Sequence, residues 1–329
     1  MSQLTRNLSG KRKAAYSVAA ILLLALSAEI VCRCLFYHRR SRNSVAVVEA
    51  WNSLQGRLTA IRVAKKRGEI RLTYDAAWRQ LFDDNNSEGL FKSKIQYQAH
   101  LSSLAQAAKQ AGTLLVVMYL PSTDPDTEKH KVEAGTRQFF RQQAERNQLP
   151  FLDLTDELRK HSWIDVTMLP LDGHLGRFGN RIVARELDQF LQQFSDVRNP
   201  AEMIREDQVY GDLPPMLNTV EEYTRGLPFR LQTNRQGFRN IDSLYKKQRQ
   251  RVLILGDSFT YGIHLSNHDT FPALLQSLNS QREIVNAGIP GYTISHELSS
   301  FTERSQYIAP DVTVLQVLDN DLLGLFLGE

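Results

Sequence analysis

The sequence predicts an α/β fold built on a mostly parallel five-stranded sheet. Five short apolar runs, partly β-branched and often bounded by glycine or proline, are typical of strands buried on both faces. They alternate with longer amphipathic stretches, and this alternation indicates parallel strands joined by right-handed helical crossovers. The predicted strands lie at residues 114–120, 151–154, 251–255, 283–286 and 312–318.

The helical prediction is strongest for residues 97–111. Leu101, Leu104 and Ala108 fall on one stripe of this helix, and Gly112 ends it. With 329 residues, 42 % of them apolar, the chain has ample material for a hydrophobic core. Further helices are predicted near residues 132–147, 180–194 and 271–278.

The basic charge of the chain is concentrated at its N-terminus. Residues 1–43 contain eight basic residues and one acidic residue, a net charge of +7, whereas the whole chain carries +4. The remaining residues therefore carry a net charge of −3. A mildly acidic body argues against nucleic-acid binding, which requires basic residues on the folded domain.

A stretch at residues 14–37, almost all apolar or small up to Ala28, predicts a membrane anchor, because it reaches the ~20 residues that a bilayer requires. A cleavable signal peptide is the alternative, since the start of the stretch is basic. The anchor is favoured because the run continues past Glu29. Basic residues on both sides leave its orientation open. Cys32 and Cys34 lie at its edge and indicate little about the compartment.

Five segments are predicted along the chain. An anchor is followed by a helical segment, and the α/β domain after it is divided by an ordered connector in which leucine and phenylalanine are interspersed among polar residues. The segments are 1–43 (anchor), 44–112 (helical segment), 113–194 (first part of the domain), 195–249 (connector) and 250–329 (second part of the domain).

A candidate nucleophile follows the strand at 251–255, in a turn at 256–262 that reads GDSFTYG. A serine in the sharp turn after a parallel strand has its hydroxyl at the carboxyl edge of the sheet, where α/β proteins bind ligands. A helix that begins here would direct backbone N–H groups at whatever Ser258 attacks. The alternative is a simple turn in which Asp257 or Ser258 caps the helix.

Two further turns are predicted at the same edge of the sheet. One carries Gly291, in the segment NAGIPGY after the strand at 283–286, and the other carries Asn320, after the strand at 312–318. Their N–H groups and that of Ser258 are candidates for an oxyanion hole, in which each donor contributes roughly 3 kcal/mol of transition-state stabilisation. The structural alternatives are backbone geometry at the glycine and helix capping by the asparagine.

His174 is the candidate general base, with Asp172 two residues before it to fix its tautomer. The pair lies in a glycine-containing loop between a strand and a helix, so it too is expected at the carboxyl edge, although alone it reads as a surface turn. His264 and His268 are spaced as a metal pair would be. No HExxH pattern accompanies them, and exposed loop histidines are favoured. Neither a metal nor an organic cofactor is expected.

Together these motifs resemble the SGNH (GDSL) hydrolase family. GDSFTYG, NAGIPGYT, DND and DGH match the four blocks of the family, and the resemblance covers about residues 95–329. It implies a three-layer α/β/α, flavodoxin-like fold. By position, the resemblance assigns the nucleophile to Ser258 and the Asp/His pair to Asp172 and His174. It assigns the oxyanion donors to Gly291 and Asn320.

Two departures from the family pattern concern the Asp/His pair. The pair precedes the serine by 84 residues instead of following it, and its spacing is DxH where the family has DxxH. Both features resemble the permuted SGNH domains of alginate O-acetylation proteins, which are bound to the bacterial envelope. Circular permutation is physically reasonable because geometry, not chain order, defines a triad. A truncated piece of a longer tandem protein is the alternative.

Together with the predicted anchor, the resemblance implies a single-pass membrane protein with an extracytoplasmic serine esterase domain. Its substrates would be O-acyl groups of a small molecule or carbohydrate, foremost the acetyl groups of envelope carbohydrate. Two alternatives stay open: an O-acetyltransferase that passes the acyl group to an exopolysaccharide with the same triad, and a non-catalytic protein of polysaccharide binding or assembly. The membrane is expected as a partner through residues 14–37.

Overall fold

Strands from both predicted parts of the domain lie side by side in one sheet of the computed structural model. All described residues belong to the compact unit Ala76–Glu329. They are 81, 87–121, 127–169, 171–201 and 205–328. The predicted anchor and most of the helical segment 44–112 lie outside them. Within these ranges, no helix is both long enough and apolar enough to cross a membrane.

The central sheet consists of five parallel strands. In chain order the strands are β1 (Leu114–Tyr119), β2 (Phe151–Asp153), β3 (Thr167–Met168), β4 (Asp172–Leu175), β5 (Asn218–Glu221), β6 (Phe229–Gln232), β7 (Gln250–Leu255), β8 (Arg282–Asn286) and β9 (Val312–Val317). The parallel sheet has the order β2-β1-β9-β7-β8. The α/β class and its five predicted strands are therefore confirmed.

Helices cover both faces of this sheet. They are α1 (Ser87–Gln110), α2 (Thr127–Arg146), α3 (Thr155–Arg159), α4 (Trp163–Val166), α5 (Arg177–Leu191), α6 (Ser258–Tyr261), α7 (Phe271–Leu278), α8 (Ile294–Glu303) and α9 (Asn320–Leu327). Residues of α1, α2, α8 and α9 pack into the core on one face, and residues of α5 and α7 pack into the core on the other. The result is three layers, with the sheet in the middle.

Alternation along β1 explains why two cores form. Leu115 and Val117 belong to the core under α1, whereas Val116 and Met118 belong to the core under α5, because successive side chains of a strand point to opposite faces. Every residue of β7 and β9 is buried, as expected for central strands covered on both faces. The predicted stripe of α1 is buried as well, since Leu101 is 0 % exposed.

The stretch 195–249 contributes a β-hairpin that lies against the serine turn. Strands β5 and β6 pair antiparallel, with Asn218 opposite Gln232. Phe229 and Leu231 of the hairpin form a small apolar cluster with Tyr261 of α6. This stretch therefore contacts the element that begins with Ser258.

Candidate active site

Ser258 occupies the position that the sequence predicts, at the start of α6 directly after β7. Asp257 caps the helix, since its Oδ1 accepts a hydrogen bond from the backbone N–H of Phe259 (2.9 Å). The capping alternative therefore applies to Asp257, while the Ser258 hydroxyl is left for other contacts. The helix has four residues and is ended by Gly262, which adopts φ +78°.

His174 and Asp172 meet Ser258 in one hydrogen-bonded chain. His174 Nε2 lies 2.8 Å from Ser258 Oγ, and His174 Nδ1 lies 2.5 Å from Asp172 Oδ1. The backbone N–H of His174 donates to the same carboxylate oxygen (2.9 Å). The ring of Phe259 lies against the imidazole, with 4.6 Å between centroids. This is the geometry in which a histidine accepts a serine proton while a carboxylate fixes its tautomer.

The Asp/His segment is a short strand, not the loop that the sequence suggests. Residues Asp172–Leu175 pair antiparallel with Thr167–Met168, two strands that the sequence analysis missed. The turn after β4 is fastened by Asn180, whose Nδ2 donates to the carbonyl oxygen of Leu175 (3.0 Å) and whose Oδ1 accepts from the N–H of Phe271 (2.8 Å). The backbone around Asp172 and His174 is therefore tied to α7.

A second histidine contacts the carboxylate of this chain. His264 Nε2 lies 3.2 Å from Asp172 Oδ2, and the His264 side chain is only 1 % exposed. Burial by itself would raise the pKa of Asp172, but the hydrogen bonds from His174 and His264 outweigh it and hold that pKa far below its usual value. The sequence-based interpretation of His264 as an exposed loop residue is wrong, whereas His268 is exposed as expected.

Asn320 lies beside the serine turn. It is the first residue of α9, and its Nδ2 donates to Asp257 Oδ2 (2.7 Å). Its Oδ1 is buried and has no hydrogen-bond donor among the described residues. Burial raises the pKa of Asp257 above its usual value, although the hydrogen bonds from Asn320 and Phe259 oppose that shift. The side chain of Asn320 is thus oriented by the residue that precedes the nucleophile.

The loop after β8 approaches α6 closely. A Cβ at Gly288 would lie 2.2 Å from the backbone nitrogen of Tyr261, so only glycine allows this approach. The N–H of Ile289 donates to the carbonyl oxygen of Gly256 (3.0 Å), which joins the two loops. Gly291 is exposed and has φ +83°, a conformation that favours glycine. Its role as an oxyanion donor stays a prediction.

Ser258 and Asn320 follow adjacent strands from which the chain continues to opposite faces of the sheet, to α7 after β7 and to α9 after β9. From β7 the chain passes to β8 on one side, and β9 lies on the other side of β7. A crevice forms at such a switch point outside the carboxyl ends of the strands, and open α/β sheets bind their ligands there. The candidate site therefore lies where the topology of the sheet places a ligand.

Asp172, His174 and His264 also have the composition of a metal site. One possible ligand atom from each residue lies within 4.8 Å of the other two. Among the described residues, this is the one cluster of three histidine, cysteine or acidic side chains close enough to hold a metal ion. Two contacts hold this group together, and both are made to the Asp172 carboxylate, by His174 Nδ1 (2.5 Å) and by His264 Nε2 (3.2 Å). The sequence-based expectation that the protein needs no metal stays a prediction.

A buried acid lies behind the site on α8. Glu297 is 2 % exposed, and among the described residues its Oε2 has no hydrogen-bond donor. Burial, with further contributions from the nearby carboxyl groups of Asp321 and Asp257, raises the pKa of Glu297 well above its usual value. Folding therefore favours the neutral form of this side chain.

Replacing Glu297 with glutamine is expected to stabilise the protein at neutral and alkaline pH. Because the folded pKa is raised, the acid contributes its full stability below the unfolded pKa of about 4.3, and that contribution is lost as pH rises through the folded pKa. Glutamine cannot ionise, so Tm should rise at pH 8 by at least about 2–4 °C, with a smaller change at pH 4.5. Glu303→Gln, at an exposed position of the same helix, is the control. Equal effects of Glu297→Gln at both pH values would contradict the expectation.

Comparison with known proteins gives a structural likeness. The chain is similar to the O-acetyltransferase domain of Pseudomonas putida AlgJ. The identity is 15 % and the TM-score 0.48, over 74 % of this chain and 88 % of that domain. It is also similar to Pseudomonas aeruginosa AlgX, with 14 % identity and a TM-score of 0.39, over 69 % of this chain and 57 % of that one. No family model and no curated protein matches the chain.

At these identities the likeness concerns overall shape, so it does not assign roles to side chains. Side-chain roles in this chain rest on the contacts of its own residues.

Proposed function

We propose that this protein is a serine esterase of the SGNH kind, which removes O-acyl groups through an acyl-serine intermediate. The observation that supports it is the continuous chain from Ser258 Oγ through the imidazole of His174 to Asp172, with contacts of 2.8 Å and 2.5 Å. The three residues come from two separate parts of the sequence, and a purely structural turn has no need of such a chain. Serine is a weak nucleophile until an adjacent base activates it.

In the first half of the reaction, His174 Nε2 takes the proton of Ser258 as the serine Oγ attacks the ester carbonyl carbon. Asp172 stays ionised, because its pKa is held far below its usual value, and it stabilises the imidazolium that forms. The tetrahedral intermediate then expels the alcohol, which receives the proton from His174. In the second half, water loses a proton to His174 and attacks the acyl carbonyl. Collapse releases the carboxylic acid and returns the proton to Ser258.

The oxyanion would be held by the N–H groups of Ser258 and Gly291 and by the amide of Asn320. Asn320 Nδ2 has two hydrogens and uses one of them on Asp257 Oδ2. The other hydrogen is available to a developing oxyanion. Asp257 would thus orient the Asn320 amide before the reaction begins. This matters because a donor stabilises an oxyanion fully only when it is already oriented towards it.

We also infer that the domain has a circularly permuted strand order. If the strands are counted from β7 through β9 and then from β1 to β2, the observed order β2-β1-β9-β7-β8 becomes 5-4-3-1-2. Read from the other edge this is 2-1-3-4-5, the flavodoxin-like order. This agreement supports a domain whose usual first strand is β7, with the stretch 195–249 joining the usual ends.

Acetyl esters of carbohydrate are the substrates to test first, because the sequence resemblance implies them. The full chain, purified in detergent, is given a chromogenic acetyl ester with and without an unacetylated oligosaccharide. Release of acetate in both cases supports the esterase. If mass spectrometry instead detects acetylated oligosaccharide, and less free acetate is released, the protein is an O-acetyltransferase and not an esterase.

A third outcome contradicts both enzymatic functions. If the folded protein neither turns over the ester nor reacts with a serine-directed phosphonate, the triad is not catalytic. The non-catalytic polysaccharide-binding alternative would then be favoured, and a retained affinity for the acetylated oligosaccharide would support it.

A further inference from the structure

Each oxygen of the Asp172 carboxylate is contacted by a different histidine side chain. Oδ1 accepts from His174, while Oδ2 lies 3.2 Å from His264 Nε2. The hydroxyl of Thr224 lies within reach of the same two groups, 3.4 Å from Asp172 Oδ2 and 3.3 Å from His264 Nε2. The carboxylate is therefore contacted from the side opposite the triad by residues that no part of the proposed reaction uses.

His264 is held in this position at a conformational cost. Its backbone has φ +65°, in the left-handed region that residues with a side chain seldom adopt. Its ring lies among three others, with centroid distances of 5.9 Å to His174, 6.2 Å to Phe229 and 6.4 Å to Tyr223. Strained conformations persist where the surroundings enforce them, and they are common at functional sites.

A buried arginine from the stretch 195–249 fixes the loop that carries His264. Arg239 is 3 % exposed, and its guanidinium donates to the carbonyl oxygens of Tyr261, Gly262 (2.9 Å) and Leu265. The same guanidinium lies over the Tyr261 ring, 4.3 Å from its centroid. The backbone on both sides of His264 is thus clamped by one side chain.

We infer that His264 is a positioning residue for the proposed serine reaction: its Nε2–H donates to Asp172 Oδ2 and holds the carboxylate with Oδ1 facing His174. The inference rests on the proposed function. In this arrangement Nε2 of His264 is the donor, Nδ1 is buried with no hydrogen-bond partner among the described residues, and the residue neither touches substrate nor exchanges a proton. The titratable and charged groups that face it or clamp its loop are Asp172, His174, Tyr223 and Arg239.

The contribution of His264 is made mostly in the transition state. When His174 becomes an imidazolium, a carboxylate locked in rotation keeps its hydrogen bond, whereas a carboxylate free to rotate loses it for part of the time. Hydrogen bonds to charged groups are strong enough that losing one changes a rate by roughly 10–100-fold. The substrate contacts are unchanged, so the loss is expected in kcat and not in KM.

Two nearly isosteric variants of the full chain test this role. In His264→Gln, the glutamine amide places an N–H donor near the position of Nε2. In His264→Met, the side chain has a similar length but no donor. Both side chains are unbranched at Cβ, so the two variants place the same demand on the strained backbone. We expect His264→Met to lower kcat for a chromogenic acetyl ester by roughly 10–100-fold, and His264→Gln to stay within about threefold of the wild type. Equal activity of the two variants, whether high or low, would overturn the inference.

A measurement on the wild-type chain keeps the inference testable if either variant fails to fold. The ring nitrogens of His264 are assigned by ¹⁵N NMR, and the Nε2–H tautomer is expected because this nitrogen must donate to Asp172. The Nδ1–H tautomer would overturn the inference. If the wild type lacks turnover and phosphonate labelling, the proposed function fails by itself, and the tautomer still reports whether His264 donates to Asp172.

Discussion

Replacing Ser258 with alanine is expected to lower kcat for ester hydrolysis by roughly 10⁴–10⁶-fold while the fold is retained. The substitution removes the oxygen that lies 2.8 Å from His174 Nε2, so no acyl-enzyme can form. The residual rate would come from the oxyanion donors and substrate binding alone. Because the side chain is small and partly exposed at the start of α6, its loss should leave Tm within about 1–2 °C of the wild type.

The measurement pairs steady-state kinetics with covalent labelling. A serine-directed phosphonate should label the wild type at one site, identified by mass spectrometry of the peptide containing GDSFTYG, and should not label Ser258→Ala. Ser277→Ala, at an exposed position of α7, serves as the matched control and should keep both activity and labelling. Turnover by Ser258→Ala above about 1 % of the wild-type rate would exclude Ser258 as the nucleophile.

The sheet and most of the site were predictable because their signals are local. Buried parallel strands are short apolar runs, and a turn directly after each run must lie at the carboxyl edge. Ser258 follows β7 and Asn320 follows β9 in this way, so their proximity is a consequence of strand pairing. His174 was predictable as a partner because Asp172 stands two residues before it, a spacing within reach of a hydrogen bond to its own backbone and ring.

The burial of His264 was not predictable in the same way, because it comes from distant parts of the chain. Phe229 of β6, Thr224 and Arg239 surround it or its loop, and none of them is near it in sequence. The only local feature is a second histidine four residues later, His268, which suggests a metal pair and not a triad partner. Contacts of the stretch 195–249 decide the environment of this residue.

One local structure differs from the sequence prediction for a physical reason, and the length of a helix that the sequence left open has one too. The pairing of Asp172–Leu175 with Thr167–Met168 is too short to produce an alternating hydrophobic pattern, so the segment resembles a turn. The helix after the nucleophile ends at Gly262, whose left-handed conformation stops it after one turn. A single turn has a small dipole, so the oxyanion stabilisation that we propose depends on individual donors such as Asn320.

Replacing Asp172 with asparagine is expected to lower kcat by about 10⁴-fold, because the substitution selects the wrong tautomer of His174. The carboxylate accepts from Nδ1–H at 2.5 Å, which leaves Nε2 free to take the serine proton. An asparagine amide in the same place can donate to Nδ1, and the proton then sits on Nε2, where the imidazole cannot act as a base. Asp165→Asn, at an exposed position of α4, is the control and should have full activity.

The same variant separates tautomer control from simple charge loss when it is combined with His264→Met. If His264 acts only through the Asp172 carboxylate, the double variant should be no slower than Asp172→Asn alone, because the contact that His264 supports is already gone. Independent effects that multiply would indicate that His264 acts on His174 or on substrate by another route. ¹⁵N NMR of His174 should find the proton on Nε2 in Asp172→Asn and on Nδ1 in the wild type. An unchanged tautomer with a 10⁴-fold loss would mean that the negative charge, and not the orientation of the imidazole, is what Asp172 contributes.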